Sequence, residues 1–372
     1  MRFLFVCGGT AGHINPALAL AEKLKELVGT CEIEFAGAGR EMEKRLIPKE
    51  GYKLTNITIT GFSRKISPDG IANNIKTLKN LIIANGEAKR LIERFEPDVV
   101  IGTGGYVCYP VLKQAIKMNI PTVLHESNAV PGLTTKMLSG SVDDMLVAFP
   151  AAKENYKKKS NIKVTGTPVH GQFSKITKSE AKKIIGVPDK PLVVSFWGSL
   201  GASNMNNAIV DFIEENSKKG SFYHIHASGG GEDGRDRLIK NIDERGIDCK
   251  SCTDVRAYID NMGIVMRAAD IVMCRAGAST VAELTMIGTP SILVPSPNVT
   301  NNHQEANARA VMQAGGAEMV LERDMSGKGL YELTEKLLED KEKLKEMGEN
   351  AKSLGVADST EMIANIILSH IK

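Results

Sequence analysis

Cys274-Arg275-Ala276-Gly277-Ala278-Ser279-Thr280-Val281-Ala282-Glu283-Leu284 follows the apolar run Ala269-Asp270-Ile271-Val272-Met273 and precedes an amphipathic one. The pattern predicts a strand, a turn of small residues, then a helix whose first turn carries Ser279, Thr280 and Glu283. A helix start bares unpaired backbone N–H groups and a partial positive charge, which suits a phosphate. Small side chains let a ligand come close to the backbone. Glu283 is not there for a phosphate, but its carboxylate can accept hydrogen bonds from a pair of sugar hydroxyls. Phosphate and ribose together point to a nucleotide. Taken alone, the segment reads equally well as a capping box in which Glu283 closes the helix start.

The other end of the chain shifts that balance. Arg2-Phe3-Leu4-Phe5-Val6-Cys7 is a short buried-strand pattern, and Gly8-Gly9-Thr10-Ala11-Gly12-His13 is a second glycine turn. Asn15-Pro16 then opens a helix, with Pro16 near its first position, where a missing N–H costs little. Ala17, Leu18, Leu20, Ala21 and Leu24 give that helix an apolar face. A dinucleotide fingerprint would need glycine at position 7, where Cys7 stands. The second strand, Glu32 to Gly37, ends in small residues rather than in a ribose-binding acid. A nicotinamide cofactor is therefore disfavoured.

At 372 residues the chain exceeds one ordinary core, so two domains are expected. Hydrophobic content of 42% and charged content of 24% are those of a soluble globular protein. A net charge of +3 supports neither nucleic acid nor an anionic membrane as partner and excludes neither. The six cysteines lie mostly in or beside predicted strands, which suits reduced, buried thiols. Cys249-Lys250-Ser251-Cys252 has the spacing of half a zinc site but lacks a second pair. Neither a signal peptide nor a bilayer-length apolar run is present in the sequence, so the expected location is the cytosol.

Strand and helix patterns alternate along the whole chain, the mark of doubly wound parallel sheets, so the fold class is α/β. N-terminal strands are predicted at 53–59, 98–102, 121–125, 143–147 and 162–166, with a long helix over 69–96 ending before Pro97. Lys153–Lys163 and Gly166-Thr167-Pro168 mark a hinge. A second series begins at Pro191–Phe196 and continues through 222–226, 247–251, 270–274, 290–294 and 317–321. A last helix runs from about Asp358 to Ile371. The expected architecture is two Rossmann-like domains facing each other across a cleft, with ligands at the carboxyl ends of the strands.

Gly8–His13, Gly102–Tyr106 and His125-Glu126-Ser127-Asn128-Ala129 all follow N-terminal strands, so all should lie along one sheet edge. Any one could be an ordinary tight turn, but together they make a platform for a large polar ligand. His13 is the strongly placed base candidate. At a helix start the positive end favours neutral imidazole, which can take a proton from an alcohol; a capping or packing histidine is the alternative. His224 and His226 alternate on a strand and share a face, as a metal pair or, in the favoured reading, as packed side chains. Ser199, in the turn Trp197–Ala202, is again suited to phosphate. No D-x-D tripeptide occurs, so a diphosphate must be met by helix termini, N–H groups and a basic side chain. In Asn301–Ala308 the amides can cap a helix or bind sugar hydroxyls.

Eight segments, in order, carry a resemblance over nearly the full length. They are GGTAGH at 8–13, GTGGY at 102–106, HESNAVPG at 125–132, GTPVH at 166–170, WGSLGA at 197–202, YIDNM at 258–262, CRAGASTVAE at 274–283 and NNHQEANA at 301–308. The chain resembles the MurG family of glycosyltransferase family 28, bacterial undecaprenyl-diphospho-muramoylpentapeptide β-N-acetylglucosaminyltransferases. The resemblance implies a GT-B fold, with an acceptor-binding domain over 1–167, a UDP-sugar-binding domain over 168–356 and a helix at 357–372 packing back on the first. It implies inverting transfer of N-acetylglucosamine from UDP-N-acetylglucosamine to lipid I in peptidoglycan synthesis, a process tied to cell shape and division. Carried over by position, Ile259 meets uracil, Glu283 the ribose hydroxyls and Ser199 the diphosphate. Ala278, Ser279, Thr280, Val281, Ala282 and Glu283 line the nucleotide site. Gln304, Asn128 and the turn Thr10, Ala11, Gly12 reach the transferred sugar or the acceptor, and His13 is the general base.

Three positions depart from the family pattern. Ala11 replaces a more usual glycine, Leu200 a glutamine, and His170 an arginine. A histidine is mostly neutral near pH 7 and offers no guanidinium fork to a phosphate. The resemblance also implies no cofactor and no tightly bound metal, with stimulation by divalent cations left open, and no nucleic acid partner. A lipid-linked acceptor implies a peripheral location on the cytoplasmic face of the membrane, with other cell-wall enzymes as partners. Gly61 to Arg90 is the docking candidate. Ile71, Ile75, Leu78 and Ile82 recur at helical spacing beside Lys76 and Lys79, with Leu81 and Ile83 widening the stripe and Arg64 and Lys65 in the preceding loop. The same stripe could equally pack on the sheet. Competing readings are a diacylglycerol glycosyltransferase, a UDP-N-acetylglucosamine 2-epimerase and a two-lobed binding protein.

Overall fold

A computed structural model describes residues 1–60, 68–156, 161–169, 176–198, 201–299, 302–356 and 358–371. Within 68–79 it describes the helix backbone and, of the side chains, Thr77. The chain forms two compact units, Met1–His170 with Asp358–Lys372, and Gly171–Ala357.

The first unit alternates β1 (Arg2–Cys7), α1 (Ala11–Val28), β2 (Glu32–Gly37), α2 (Glu41–Lys49), β3 (Lys53–Asn56), α3 (Pro68–Phe95) and β4 (Val99–Gly104). It continues with α4 (Cys108–Lys117), β5 (Thr122–Glu126), α5 (Leu133–Leu138), β6 (Asp144–Val147) and β7 (Ile162–Val164). The strands are parallel, in the order β3-β2-β1-β4-β5-β6-β7. Both faces are covered, as a parallel sheet requires. The pleat sorts β1 accordingly. Phe3, Phe5 and Cys7 pack with α1, while Leu4 and Val6 pack with the α3 and α4 side.

The second unit holds α6 (Lys178–Ile185), β8 (Leu192–Phe196), α7 (Ser203–Lys219), β9 (Tyr223–Ala227), α8 (Gly231–Glu244), β10 (Thr253–Arg256) and α9 (Met262–Ala268). Then come β11 (Ile271–Cys274), α10 (Ala278–Ile287), β12 (Ser291–Leu293), α11 (His303–Gln313), β13 (Ala317–Met319), α12 (Gly327–Glu339) and α13 (Lys341–Leu354). Its parallel strands run β10-β9-β8-β11-β12-β13. The final helix, α14 (Ser359–Leu368), belongs to the first unit. Ile363, Ala364 and Ile367 join the core of Phe3, Phe5 and Ile14. Thr360 Oγ1 accepts from Val169 N at 3.1 Å, and His370 Nε2 meets Asp144 Oδ2 at 2.7 Å.

Two expectations about elements need correction. No strand forms over 247–251. The chain turns there, with Cys252 N and Thr253 N both donating to Cys249 O, and β10 starts at Thr253. Burial of Cys249 and Cys252 produced the apolar alternation without a ladder. The first helix begins at Ala11 rather than at Asn15-Pro16, so Pro16 lies inside it. Proline cannot donate back to the Gly12 carbonyl, and that carbonyl leaves the helical ladder.

Candidate active site

In each sheet the strand order reverses at one place, between β1 and β4 in the first unit and between β8 and β11 in the second. Open α/β sheets bind ligands at such reversals, beyond the carboxyl ends of the strands.

In the first unit this brings the loops after β1 and β4 together. Gly8 N donates to Gly104 O at 3.1 Å. A Cβ on Gly105 would sit 2.6 Å from Gly8 O, so only glycine permits this approach of the two backbones. His13 lies in the first turn of α1, and its Nδ1 is 2.7 Å from Gly8 O. A carbonyl only accepts, so Nδ1 carries the hydrogen, and in the neutral ring the lone pair falls on Nε2. Thr103 Oγ1 donates to the His13 carbonyl at 2.7 Å, tying α1 to β4. Thr10, the exposed residue at the helix N-cap, Ala11 and Gly12 line the same turn.

Glu126, at the end of β5, is buried. Its Oε1 accepts from Asn128 N and Asn128 Nδ2, each at 3.0 Å, and its Oε2 accepts from Gly132 N at 2.9 Å. Both oxygens are committed to shaping the loop that carries Asn128. Glu126 thereby holds the loop in shape.

In the second unit the loops after β8 and β9 meet. Gly201 and Gly229 interlock so closely that a Cβ on Gly229 would lie 2.4 Å from Gly201 N. Ser199 and Leu200 lie outside the described residues, as do His170, Asn301, Arg64 and Lys65. The glycine triplet after β9, Gly229-Gly230-Gly231, was not singled out from sequence; its signal was the run of glycines directly after a strand.

Helix α10 starts at Ala278 with Gly277 as its N-cap and no side-chain cap. The capping-box reading of Ser279 and Glu283 therefore does not hold. Ser279 Oγ is buried without a hydrogen-bond partner. Burial pushes the Glu283 carboxyl up to about 7, with no hydrogen bond offsetting it. Ser279 stands in the first turn of α10, but Glu283 is its sixth residue and lies in the second turn rather than the first, because the helix starts only at Ala278. Neither has a protein hydrogen-bond partner, and buried polar groups without one call for an explanation such as a ligand. Thr280 and Ala282 are part-exposed beside them, whereas Ala278 and Val281 turn into the core. Ile259, 1% exposed, is buried. Gln304 Oε1 accepts from Ser296 N at 2.9 Å, which fixes the β12–α11 loop and leaves the amide nitrogen to donate. Buried Asn307 donates from Nδ2 to Ala276 O at 3.1 Å, tying α11 to the turn before α10.

Beneath the loops of this unit, Ser195 Oγ lies 2.8 Å from His224 Nε2 and 2.7 Å from His226 Nδ1. His226 Nε2 lies 3.3 Å from Asn206 Oδ1, and Asn206 Nδ2 donates to Ser228 O at 3.0 Å. The two histidines are thus packed core groups. Burial pushes His226 down to about 3 and His224 down as well. Among the described residues no cluster of three or more His, Cys, Asp or Glu stands ready for a metal ion.

Two nucleotide-type glycine sites on two parallel α/β units are the pattern of the GT-B glycosyltransferases. Family models agree: the glycosyltransferase family 28 N-terminal domain matches residues 3–147 and the C-terminal domain matches residues 192–363. A relative from Acetivibrio thermocellus is 44% identical over 100% of this chain and 99% of its own length. One from a Thermoanaerobacter species is 40% identical over 99% of this chain and 100% of its own. Both are UDP-N-acetylglucosamine–N-acetylmuramyl-(pentapeptide) pyrophosphoryl-undecaprenol N-acetylglucosamine transferases. The crystal structure of Acinetobacter baumannii MurG is 25% identical, with a TM-score of 0.77 over 99% of each chain. The UDP-GlcNAc 2-epimerase of Neisseria meningitidis, 16% identical with a TM-score of 0.67 over 99% of this chain and 100% of its own, shares the fold alone. The chain belongs to the family of these undecaprenol-linked N-acetylglucosamine transferases.

Proposed function

We propose that this protein transfers N-acetylglucosamine from UDP-N-acetylglucosamine to the 4-hydroxyl of the MurNAc unit of lipid I, forming lipid II with inversion at the anomeric carbon. The observation that carries the reading is the fixed tautomer of His13, which leaves Nε2 able to take a proton. The acceptor hydroxyl gives its proton to Nε2 as its oxygen bonds to the anomeric carbon. The bond from that carbon to the phosphate oxygen breaks, and UDP leaves with the electron pair. The diphosphate's charge is met by the α10 N-terminus, loop N–H groups and Ser199. Glu283 binds the ribose hydroxyls, Ile259 the uracil, and Gln304 the sugar. Asn128 and the Thr10–Gly12 turn hold the acceptor. The scheme calls on no resident metal, and divalent cations would act only as stimulants.

The membrane surface is the proposed meeting place with lipid I, on its cytoplasmic side, where other cell-wall enzymes are the expected neighbours. No helix among the described residues is long and apolar enough to cross a bilayer. On α3 the buried face is Thr77, Ala84, Ala88, Leu91 and Ile92, while Ile82 is 76% and Ile83 49% exposed. Those two isoleucines therefore do not pack on the sheet, which favours docking. Of the proposed stripe, the side chains of Ile71, Ile75, Lys76, Leu78 and Lys79 lie outside the described residues. On α5, Leu133, Lys136 and Met137 are exposed too. Ile82→Asp with Ile83→Asp should weaken pelleting with anionic liposomes and leave UDP binding unchanged; equal pelleting places the docking surface elsewhere.

The test of the activity is an assay with UDP-N-acetylglucosamine and a lipid I analogue. Transfer to the 4-hydroxyl is expected, and release of an epimerised free sugar would instead mean an epimerase. His13→Ala should cost about 10²–10⁴ in turnover with donor binding spared. Near-normal turnover would remove His13 from the base role.

A further inference from the structure

The peptide bond joining Gly8 to Gly9 is hydrogen-bonded at both ends. Its carbonyl accepts from His13 Nδ1 at 2.7 Å. Its N–H donates to Glu43 Oε1 at 2.8 Å. Glu43, in the first turn of α2, is 0% exposed, and among the described residues no lysine, arginine or histidine pairs with it. Its other oxygen, Oε2, accepts from Arg40 N at 3.1 Å. Each carboxylate oxygen thus takes a backbone N–H, the arrangement that solvates the ionised form. A Cβ on Gly8 would lie 3.0 Å from Oε1, and one on Gly37 would lie 2.7 Å from Oε2. Glycine at both strand ends is what lets the carboxylate in.

A buried carboxylate with no cationic partner is costly to hold, and backbone N–H groups are what offset that cost here. Capping α2 needs only one of its oxygens and no burial. The second oxygen is spent on the one peptide whose carbonyl holds the proposed base. We propose that Glu43 is a positioning residue that polarises His13 through the Gly8–Gly9 peptide. Negative charge at the N–H end draws electron density toward the carbonyl oxygen, and hydrogen bonds in such a chain strengthen one another. A stronger Nδ1–H bond holds the imidazole in the Nδ1–H tautomer and stabilises the imidazolium formed when Nε2 accepts a proton. This is the service a buried aspartate gives a histidine directly in hydrolase triads, delivered here through an amide. The proposal rests on the reading of His13 as the base.

Glu43→Gln keeps the shape and an oxygen acceptor but removes the charge. Turnover should fall about tenfold, the difference between a charged and a neutral hydrogen-bond acceptor, with the KM for UDP-N-acetylglucosamine unchanged. In proton and nitrogen-15 NMR the His13 Nδ1 proton should move upfield. Glu43→Asp, which keeps the charge, should recover part of the turnover. An unmoved Nδ1 proton, or an Asp variant no better than Gln, overturns the proposal. Should Glu43→Gln fail to fold, the wild type decides. The Gly9 amide nitrogen must shift as His13 takes up a proton, and a flat Gly9 signal overturns the link. Failure of the base reading shows up differently, as turnover retained by His13→Ala with the NMR coupling intact.

Discussion

The imidazole of His13 rests on the bare α-carbon of Gly104. A methyl group built on Gly104 would lie 2.4 Å from His13 Cδ2 and 2.8 Å from Nε2. Gly104 also holds φ +124°, a conformation closed to side chains. His13 and the end of β4 are therefore fitted to each other. Gly104→Ala should push the ring off its hydrogen bond to Gly8 and lower turnover about a hundredfold. UDP affinity, proposed as a property of the other unit, should stay at the wild-type value in calorimetry. Wild-type turnover in this variant would mean that His13 is not held where the reaction occurs.

Glu126 offers a test of the acceptor loop. Its carboxylate holds Asn128 and Gly132 through three N–H groups. Hydrogen bonds to a charged group each contribute about 1.5–3 kcal/mol. Glu126→Ala should raise the KM for the lipid I analogue tenfold or more and leave UDP affinity intact. If only turnover falls and KM is unchanged, Glu126 acts on the chemistry instead.

For Glu283 the sign of the pH effect follows from burial. Its folded value near 7 exceeds the ordinary 4.5, so the unliganded protein binds the extra proton between those values. Stability from this group is full below about 4.5 and is lost as pH rises through 7. Ribose hydroxyls favour the ionised carboxylate, so uridine binding should release a proton near pH 6 and tighten toward pH 8. Calorimetry in buffers of different ionisation enthalpy measures that release. Glu283→Gln should abolish it, and an unaltered release would place the ribose elsewhere. Glu283→Ala should weaken UDP about tenfold to a hundredfold.

The His224–Ser195–His226 core makes the second unit acid-sensitive. Both histidines are held neutral by burial, below the ordinary value of 6.5. The unfolded chain takes up protons below about 6.5 that the folded unit refuses, so stability falls as pH drops from there toward 3. The slope is about 1.4 kcal/mol per pH unit for each histidine. Trp197, the chain's single tryptophan, lies 6.5 Å from the His226 ring and reports on this unit by fluorescence. Denaturant midpoints read from it should fall steeply between pH 6 and pH 4, and less steeply in His224→Gln. Parallel slopes would show that other groups set the acid limit.

The alternation of buried strands and amphipathic helices, set by side-chain period, was enough to define two doubly wound parallel sheets. Glycine turns at Gly8–His13, Gly102–Tyr106 and Cys274–Glu283 marked the strand ends proposed to bind ligands, because only small residues fit such turns. Local pattern misplaced the start of α1 and invented a strand at 247–251, since buried residues in a turn and in a strand look alike to period counting. It also left open, as the alternative for Ser279 and Glu283, a capping box that the backbone, capped at Gly277, does not use.

The residues that sequence could not rank are those whose roles depend on partners far along the chain. Glu43 reads as one more acid on an amphipathic helix. Only the pairing of β1 with β2 and the packing of α2 bring its carboxylate to the Gly9 amide. The tautomer of His13 depends on where the Gly8 carbonyl points, and the choice between packing and docking for Ile82 on which side of α3 meets the sheet. Sequence determined the elements and the residue types at their ends, because these follow from local sterics and periodicity. Tertiary structure decided which polar groups are buried and what they touch, because burial and hydrogen-bond partners exist only once distant segments have packed together.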